Sequence, residues 1–191
     1  MSLELILGPM FAGKSSAILH IVNRHHAIGH KPMLISHSID SRYSQAEHIV
    51  NHDGLKVACH KGSRLLPFLK SEPFVESKLV IVEEGQFFPD LYEFVVEAVD
   101  VLNKNVIVVG LDGDADRKPF GQILELIPLC DKITKLTAFC KMCNNGKEGI
   151  FTFCKKKKAE QVCVGGDELY MPLCRVCYLV SSSGSERLLQ A

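Results

Sequence analysis

The chain carries no net charge. Its 22 basic residues balance 22 acidic ones over 191 residues, so no global field draws it toward nucleic acid or an anionic membrane. It has no run of about 18 apolar residues, which excludes a bilayer-spanning helix of ordinary length. Met1 leads directly into the apolar Leu3–Leu7, which leaves no room for a secretory leader. Aromatic residues make up only 7% and form no stacking platform of the kind that single-stranded nucleic acid requires. No histidine lies beyond His60, so no imidazole is available as a metal ligand in the later part of the chain. Cysteine is not scarce, but its eight copies are unevenly spread: four form Cys140-x-x-Cys143 and Cys174-x-x-Cys177. That grouping predicts a metal site in a reducing, cytoplasmic compartment rather than a disulfide framework.

What is present begins at once. Gly8-Pro9-Met10-Phe11-Ala12-Gly13-Lys14-Ser15 reads G-x-x-x-x-G-K-S, placed between a predicted strand and a predicted helix. The backbone N–H groups of such a loop, backed by a helix N-terminus, form a concave site for a polyphosphate. Lys14 is expected to reach the β/γ-phosphates, and the Ser15 hydroxyl to hold Mg²⁺. The spacing predicts ATP as a partner.

Downstream, apolar strands alternate with amphipathic helical patterns. Strands are expected at Leu3–Leu7, Met33–Ile35, Gly54–Cys59, Leu79–Val82, Val106–Val109 and Ile133–Leu136. Helical faces are expected at Ile18, Leu19, Ile21 and Val22 with a stop at Gly29, at Leu65–Leu69 ending near Pro73, at Leu91–Leu102, and at Ile123–Ile127. Strands without period-2 alternation imply an α/β fold, a P-loop parallel sheet with helices on both faces. From Cys140 the texture changes to cysteine, glycine and the Lys155–Lys158 run. The division expected is 1–138 as a nucleotide-binding domain, 139–180 as a small zinc-ribbon domain and 181–191 as a flexible tail.

The strand Leu79–Val82 stops at Glu83-Glu84. An apolar strand ending in an acid is where phosphoryl-transfer enzymes of this kind keep the carboxylate that orients Mg²⁺. Adjacent residues at a strand end point to different sides, so Glu83 is assigned to the metal and Glu84 to the acceptor, as base for a hydroxyl. The bland alternative is two solvated glutamates. The paired C-x-x-C motifs form a zinc-ribbon pattern: four thiolates with no open position, hence a structural Zn²⁺ at Cys140, Cys143, Cys174 and Cys177. Cys59, Cys130, Cys154 and Cys163 are expected to be small apolar fillers, and the lysine run a solvated tip.

Together these motifs resemble the zinc-containing thymidine kinases of cellular and poxviral type (type II), through GPMFAGKS, Asp40-Ser41-Arg42, Glu84-Gly85-Gln86-Phe87-Phe88, Arg117-Lys118-Pro119-Phe120-Gly121 and the paired cysteines. The resemblance runs from about Leu3 to Tyr178. It implies transfer of the ATP γ-phosphoryl group to the 5′-hydroxyl of thymidine or deoxyuridine. Carried over by position, Glu84 is the catalytic base. Gly8–Ser15, Asp40, Arg42 and Gln86 belong to the phosphate site. Met10, Phe87, Leu111, Ala115 and Phe120 line the nucleoside pocket. Thr152, Gln161, Cys163, Gly165 and Tyr170 belong to a lasso-like flap, whose backbone binds the pyrimidine edge. The resemblance also implies a homo-oligomer, a tetramer or dimer, with thymidine triphosphate (dTTP) as feedback inhibitor, and no nucleic-acid or membrane partner.

The chain departs from the family pattern at several positions. Glu83 stands where the family usually has aspartate. Asp114 replaces a small hydroxyl residue, and Ala115 replaces a phenylalanine that packs on the base. Cys154 replaces an arginine, and the flap is longer by two residues before Phe151. These changes keep open an alternative, a kinase-like nucleotide-binding domain with weak turnover acting as a regulatory partner. A nucleic-acid binder using Lys155–Lys158 is disfavoured by the neutral charge.

Overall fold

The computed structural model describes residues 1–39, 48–50, 56–156, 161 and 165–183. In chain order the elements are β1 (Ser2–Leu7), α1 (Lys14–His26), β2 (Met33–His37), β3 (His48–Val50), β4 (Lys56–Ala58), β5 (His60–Gly62), a 3₁₀ segment Leu66–Lys70, α2 (Glu72–Glu76) and β6 (Leu79–Glu83). A 3₁₀ turn Gly85–Phe87 follows, then α3 (Leu91–Val96) running into a π-helical stretch Glu97–Val101, β7 (Asn105–Gly110), a 3₁₀ segment Ile123–Leu129 and β8 (Lys132–Lys135). The last elements are β9 (Ala138–Phe139), β10 (Glu148–Gly149), β11 (Phe151–Cys154), β12 (Tyr170–Leu173) and α4 (Arg175–Ser183). Ser181–Ser183 thus continue α4, and 184–191 lie outside the described residues.

Six strands form one sheet in the order β5-β2-β6-β7-β1-β8, and every pairing is parallel. The continuous apolar runs follow from burial on both faces. Side chains alternate across a strand, and here the two sets enter different cores. Leu3, Leu5 and Leu7 of β1, Val80 and Val82 of β6, and Val106 and Val108 of β7 pack with Leu91, Phe94 and Val95 of α3. Ile6, Leu79, Ile81, Ile107 and Val109 pack on the other face with Ile18 and Val22 of α1. A one-residue slip would exchange the two sets.

Local chemistry sets the ends of the elements. Helix α1 closes at Gly29, as its sequence predicts: with φ 75°, its N–H donates to His26 O at 2.9 Å, and the His30 N–H reaches His25 O at 3.0 Å. This is a Schellman closure, in which glycine takes the left-handed position at least cost. Pro73 behaves otherwise than expected. The preceding 3₁₀ segment already ends at Lys70, and Pro73 opens α2, because a fixed φ and a missing N–H suit a first helical turn. The buried Asp90 carboxylate holds the chain after β5 by accepting from Leu65 N–H at 3.0 Å and Leu66 N–H at 3.1 Å.

Beyond β8 two antiparallel pairs, β9–β10 and β11–β12, carry the cysteines. Their core is small: Cys140, Leu173, Cys174, Cys177 and Tyr178, flanked by Phe151, Phe153 and Met171. Among the described residues no helix is long and apolar enough to cross a membrane.

Candidate active site

The carboxyl ends of β1, β6 and β7 lie side by side, because these strands are parallel neighbours in the sheet. In open α/β sheets this edge is where ligands bind. The Gly8–Ser15 loop leaves β1, Glu83-Glu84 end β6, and Gly110-Leu111 end β7.

The loop requires its glycines. A Cβ on Gly8 would stand 2.5 Å from Leu136 O, and Gly13 has φ 79° at the mouth of α1. Lys14 Nζ folds back over the loop, donating to Gly8 O at 3.1 Å and Pro9 O at 2.9 Å. Ser15 Oγ donates to Glu83 Oε1 at 3.2 Å. The longer side chain of Glu83 therefore still reaches the loop hydroxyl, and a hydroxyl and a buried carboxylate converge there as oxygen donors. That is the donor chemistry a small hard cation takes.

Glu84 occupies the left-handed region at φ 55°, ψ 43°, which costs a non-glycine residue roughly 1–2 kcal/mol. This conformation turns the chain sharply out of β6, so that Glu83 and Glu84 diverge. Glu84 is half-buried, and its Oε2 accepts from Gln86 Nε2 at 2.5 Å. Gln86 itself is buried, its Oε1 accepting from Leu111 N–H at 3.0 Å.

Phe87 meets Phe120 edge-to-face at 5.4 Å. His37 packs against Phe88 at 4.8 Å and Phe87 at 5.7 Å; burial pushes its imidazole below the ordinary value. Leu111, Ala115 and Phe120 are buried. The Ala115 carbonyl accepts from Tyr178 Oη at 2.7 Å.

Asp114 does not present a loose charge to this region. It is buried. Its Oδ1 accepts from Asp116 N–H and Lys118 N–H, both at 2.9 Å, and its Oδ2 accepts from Gln161 Nε2 at 2.7 Å. The carboxylate organises its own loop and ties it to the flap. Thr152 is also buried, and its Oγ1 accepts from Met10 N–H at 3.0 Å, joining β11 to the phosphate-type loop. Gly165 is half-buried, and Tyr170 is buried at the start of β12. Asp40, Arg42 and Cys163 lie outside the described residues.

Cys140, Cys143, Cys174 and Cys177 bring their sulfurs within 4.8 Å of one another. Cys143 Sγ lies 3.8 Å from Cys174 Sγ and 3.5 Å from Cys177 Sγ. Four sulfurs held tetrahedrally at about 2.3 Å from one ion would be about 3.8 Å apart, so the cluster fits zinc and is too open for disulfides. Burial raises the Cys140 and Cys177 thiols alike, but at Cys140 the backbone N–H groups of Cys174, Cys143 and Met142, with the Cys143 thiol, outweigh it and bring the value down to about 6, whereas Cys177 stays raised. Thiolate is the form that binds metal. Of the other cysteines, Cys59 is buried, whereas Cys130 and Cys154 are only partly so.

Sequence reasoning did not single out His37, Asp90 or the Tyr178 hydroxyl. None lies in a motif, and each acts through a contact between residues distant in the chain.

A thymidine kinase family model matches residues 1–178. The chain belongs to the thymidine kinase family. Within the family it is 40% identical to a rice thymidine kinase over 181 residues, covering 93% of this chain and 66% of the rice protein. It is 36% identical to thymidine kinase a of Arabidopsis thaliana over 183 residues, 94% of this chain and 76% of that one. It is 37% identical to the thymidine kinase of vaccinia virus (strain Western Reserve) over 179 residues, 94% of this chain and 97% of the viral one. The chain thus spans slightly less than two thirds of the rice relative and nearly all of the viral relative.

Proposed function

We propose that this protein is an active thymidine kinase, transferring the γ-phosphoryl group of ATP to the 5′-hydroxyl of thymidine, and of deoxyuridine. The observation that carries the reading is the convergence, at one sheet edge, of the Gly8–Ser15 loop with Glu83 and Glu84, closed by the Ser15–Glu83 hydrogen bond, in a chain matched by the family over 1–178.

The loop N–H groups and Lys14 bind the ATP phosphates, with Asp40 and Arg42 assigned beside them. Lys14 exchanges its two loop carbonyls for phosphate oxygens when ATP arrives. Ser15 and Glu83 would hold Mg²⁺, which would offset charge on the phosphates. Glu84 orients the 5′-hydroxyl and takes its proton, and holding the two reactants in line supplies much of the rate. Met10, Phe87, Leu111, Ala115 and Phe120 line the nucleoside pocket, and the Thr152–Tyr170 flap, with Gln161, Cys163 and Gly165, covers the base. A flap that hydrogen-bonds the pyrimidine edge rejects cytosine by donor/acceptor mismatch. A methyl group is worth only about 1–3 kcal/mol, so thymidine is preferred to deoxyuridine modestly.

Residues 1–138 are read as the nucleotide-binding unit and 139–180 as the zinc-held unit. The oligomer is a tetramer or a dimer, dTTP inhibits by occupying both substrate subsites, and the enzyme works in the cytoplasm. No observation favours the regulatory alternative.

ATP-dependent phosphorylation of thymidine, deoxyuridine and deoxycytidine tests the reading. Wild-type protein should act on the first two, and Glu84→Gln should lose about 10²–10⁴-fold in kcat. No turnover of any nucleoside by zinc-loaded protein would retire it.

A further inference from the structure

We propose that Gln86 is the positioning residue for Glu84, fixing the carboxylate of the base by a hydrogen bond rather than binding phosphate. The proposal rests on the assignment of Glu84 as the base. Gln86 is 3% exposed, and both ends of its amide are engaged. Its Oε1 accepts from the Leu111 N–H at the end of β7, and its Nε2 donates to Glu84 Oε2. The amide orientation follows from chemistry: a backbone N–H can only be met by the oxygen, and a carboxylate only by the NH₂.

Neighbouring glycines give Gln86 its room. A Cβ on Gly110 would stand 2.2 Å from Gln86 Oε1, and one on Gly121 would stand 2.1 Å from Gln86 O. Gly85 is equally tight, its Cβ position lying 2.7 Å from Val108 Cγ1. Gly110 therefore clears the space in which one amide links the end of β7 to the base at the end of β6, and Gly121 lets the chain pass close to the Gln86 backbone. Glu84 has left-handed backbone geometry, so β-ladder bonding does not set its side-chain direction. A donor anchored to the neighbouring strand can do so.

The test is Gln86→Glu in the full-length, zinc-loaded protein, a change that keeps the acceptor for Leu111 N–H, removes the amide donor to Glu84 and sets a second carboxyl group beside it. With ATP and thymidine, kcat should fall roughly 10–100-fold, the scale of a small misplacement of a catalytic group, while both KM values stay within about threefold. The same substitution in the Glu84→Gln background should change the residual rate less than about twofold, since residues acting as a unit are non-additive. Gln86→Met, which adds no charge, should reproduce the loss in kcat, and it carries the test if Gln86→Glu does not fold.

A raised KM for ATP at unchanged kcat would overturn the proposal in favour of phosphate binding. An equal loss in the Glu84→Gln background would overturn it in favour of a general packing role. Wild-type kcat in both Gln86 variants beside an inactive Glu84→Gln would remove the positioning role and leave the base assignment standing. A wild-type rate in Glu84→Gln would remove both.

Discussion

At the scale of single residues, the site is organised by buried polar side chains whose partners are backbone groups. Asp90, Asp114, Gln86 and Thr152 are all buried, and each accepts from a main-chain N–H of a residue outside any regular ladder. Such a group is costly to bury alone and inexpensive once paired. Thr152 is the sharpest case. Thr152→Val keeps the shape and leaves the Met10 N–H without its acceptor, so denaturant unfolding should show a loss of about 1–3 kcal/mol. The KM for ATP should rise with it, because Met10 sits in the loop assigned to phosphate, whereas Thr152→Ser should retain most of both properties. Unchanged stability and KM in the valine variant would mean that the bond has no energetic weight. The departures from the family pattern also acquire meaning here. Glu83 still accepts from Ser15, and Asp114 spends its charge on its own loop and on Gln161.

At the scale of elements, β2 carries a pH-sensitive end. The His37 Nδ1 accepts from Ile39 N–H at 3.1 Å, which requires that nitrogen to be unprotonated. The pKa of His37 is lowered chiefly by burial and further by Lys61, against opposing effects of the Ser63 backbone and Asp90. A depressed folded value means that the unfolded chain takes up the proton first as pH falls, so stability is full above the ordinary value of 6.5 and declines below it. The melting temperature should therefore fall between about pH 6.5 and pH 5.5, the window just below a histidine's ordinary value. The fall should be smaller in His37→Gln, whose amide oxygen can still accept from Ile39. His25, also lowered first by burial, contributes with the same sign, so the substitution reduces the slope without abolishing it. An identical slope in wild type and His37→Gln would contradict this account.

At the scale of the whole molecule, two sheet-face cores support the site, while the cysteine-bearing part holds its place with a much smaller cluster. Two of the five buried members of that cluster are not cysteine, so packing alone contributes little there. Structural zinc in small modules supplies on the order of 10 kcal/mol. We expect about one zinc per chain by elemental analysis. Chelation should loosen β9–β12 and α4 first, read as faster amide exchange there than in β1, β6 and β7. Activity should be lost with the flap, since the Met10–Thr152 bond joins the two parts. A metal-free protein with undiminished protection in β11 and β12 would show that zinc is not what holds them.

Legibility in the sequence followed the range of the interaction. The alternation of apolar runs with helical faces, the G-x-x-x-x-G-K-S loop and the two C-x-x-C pairs are local patterns, and each reports one element or one clamp. The parallel sheet, the loop at the end of β1, the acids at the end of β6 and the four-sulfur cluster could therefore be read before any coordinates. The strand order, the left-handed turn at Glu84, the Gln86 bridge to Leu111, the Asp114–Gln161 link and the Thr152 anchor on Met10 were decided only by the tertiary structure. Each joins groups brought together by packing, and a chain read in one dimension carries no record of which buried donor will meet which acceptor.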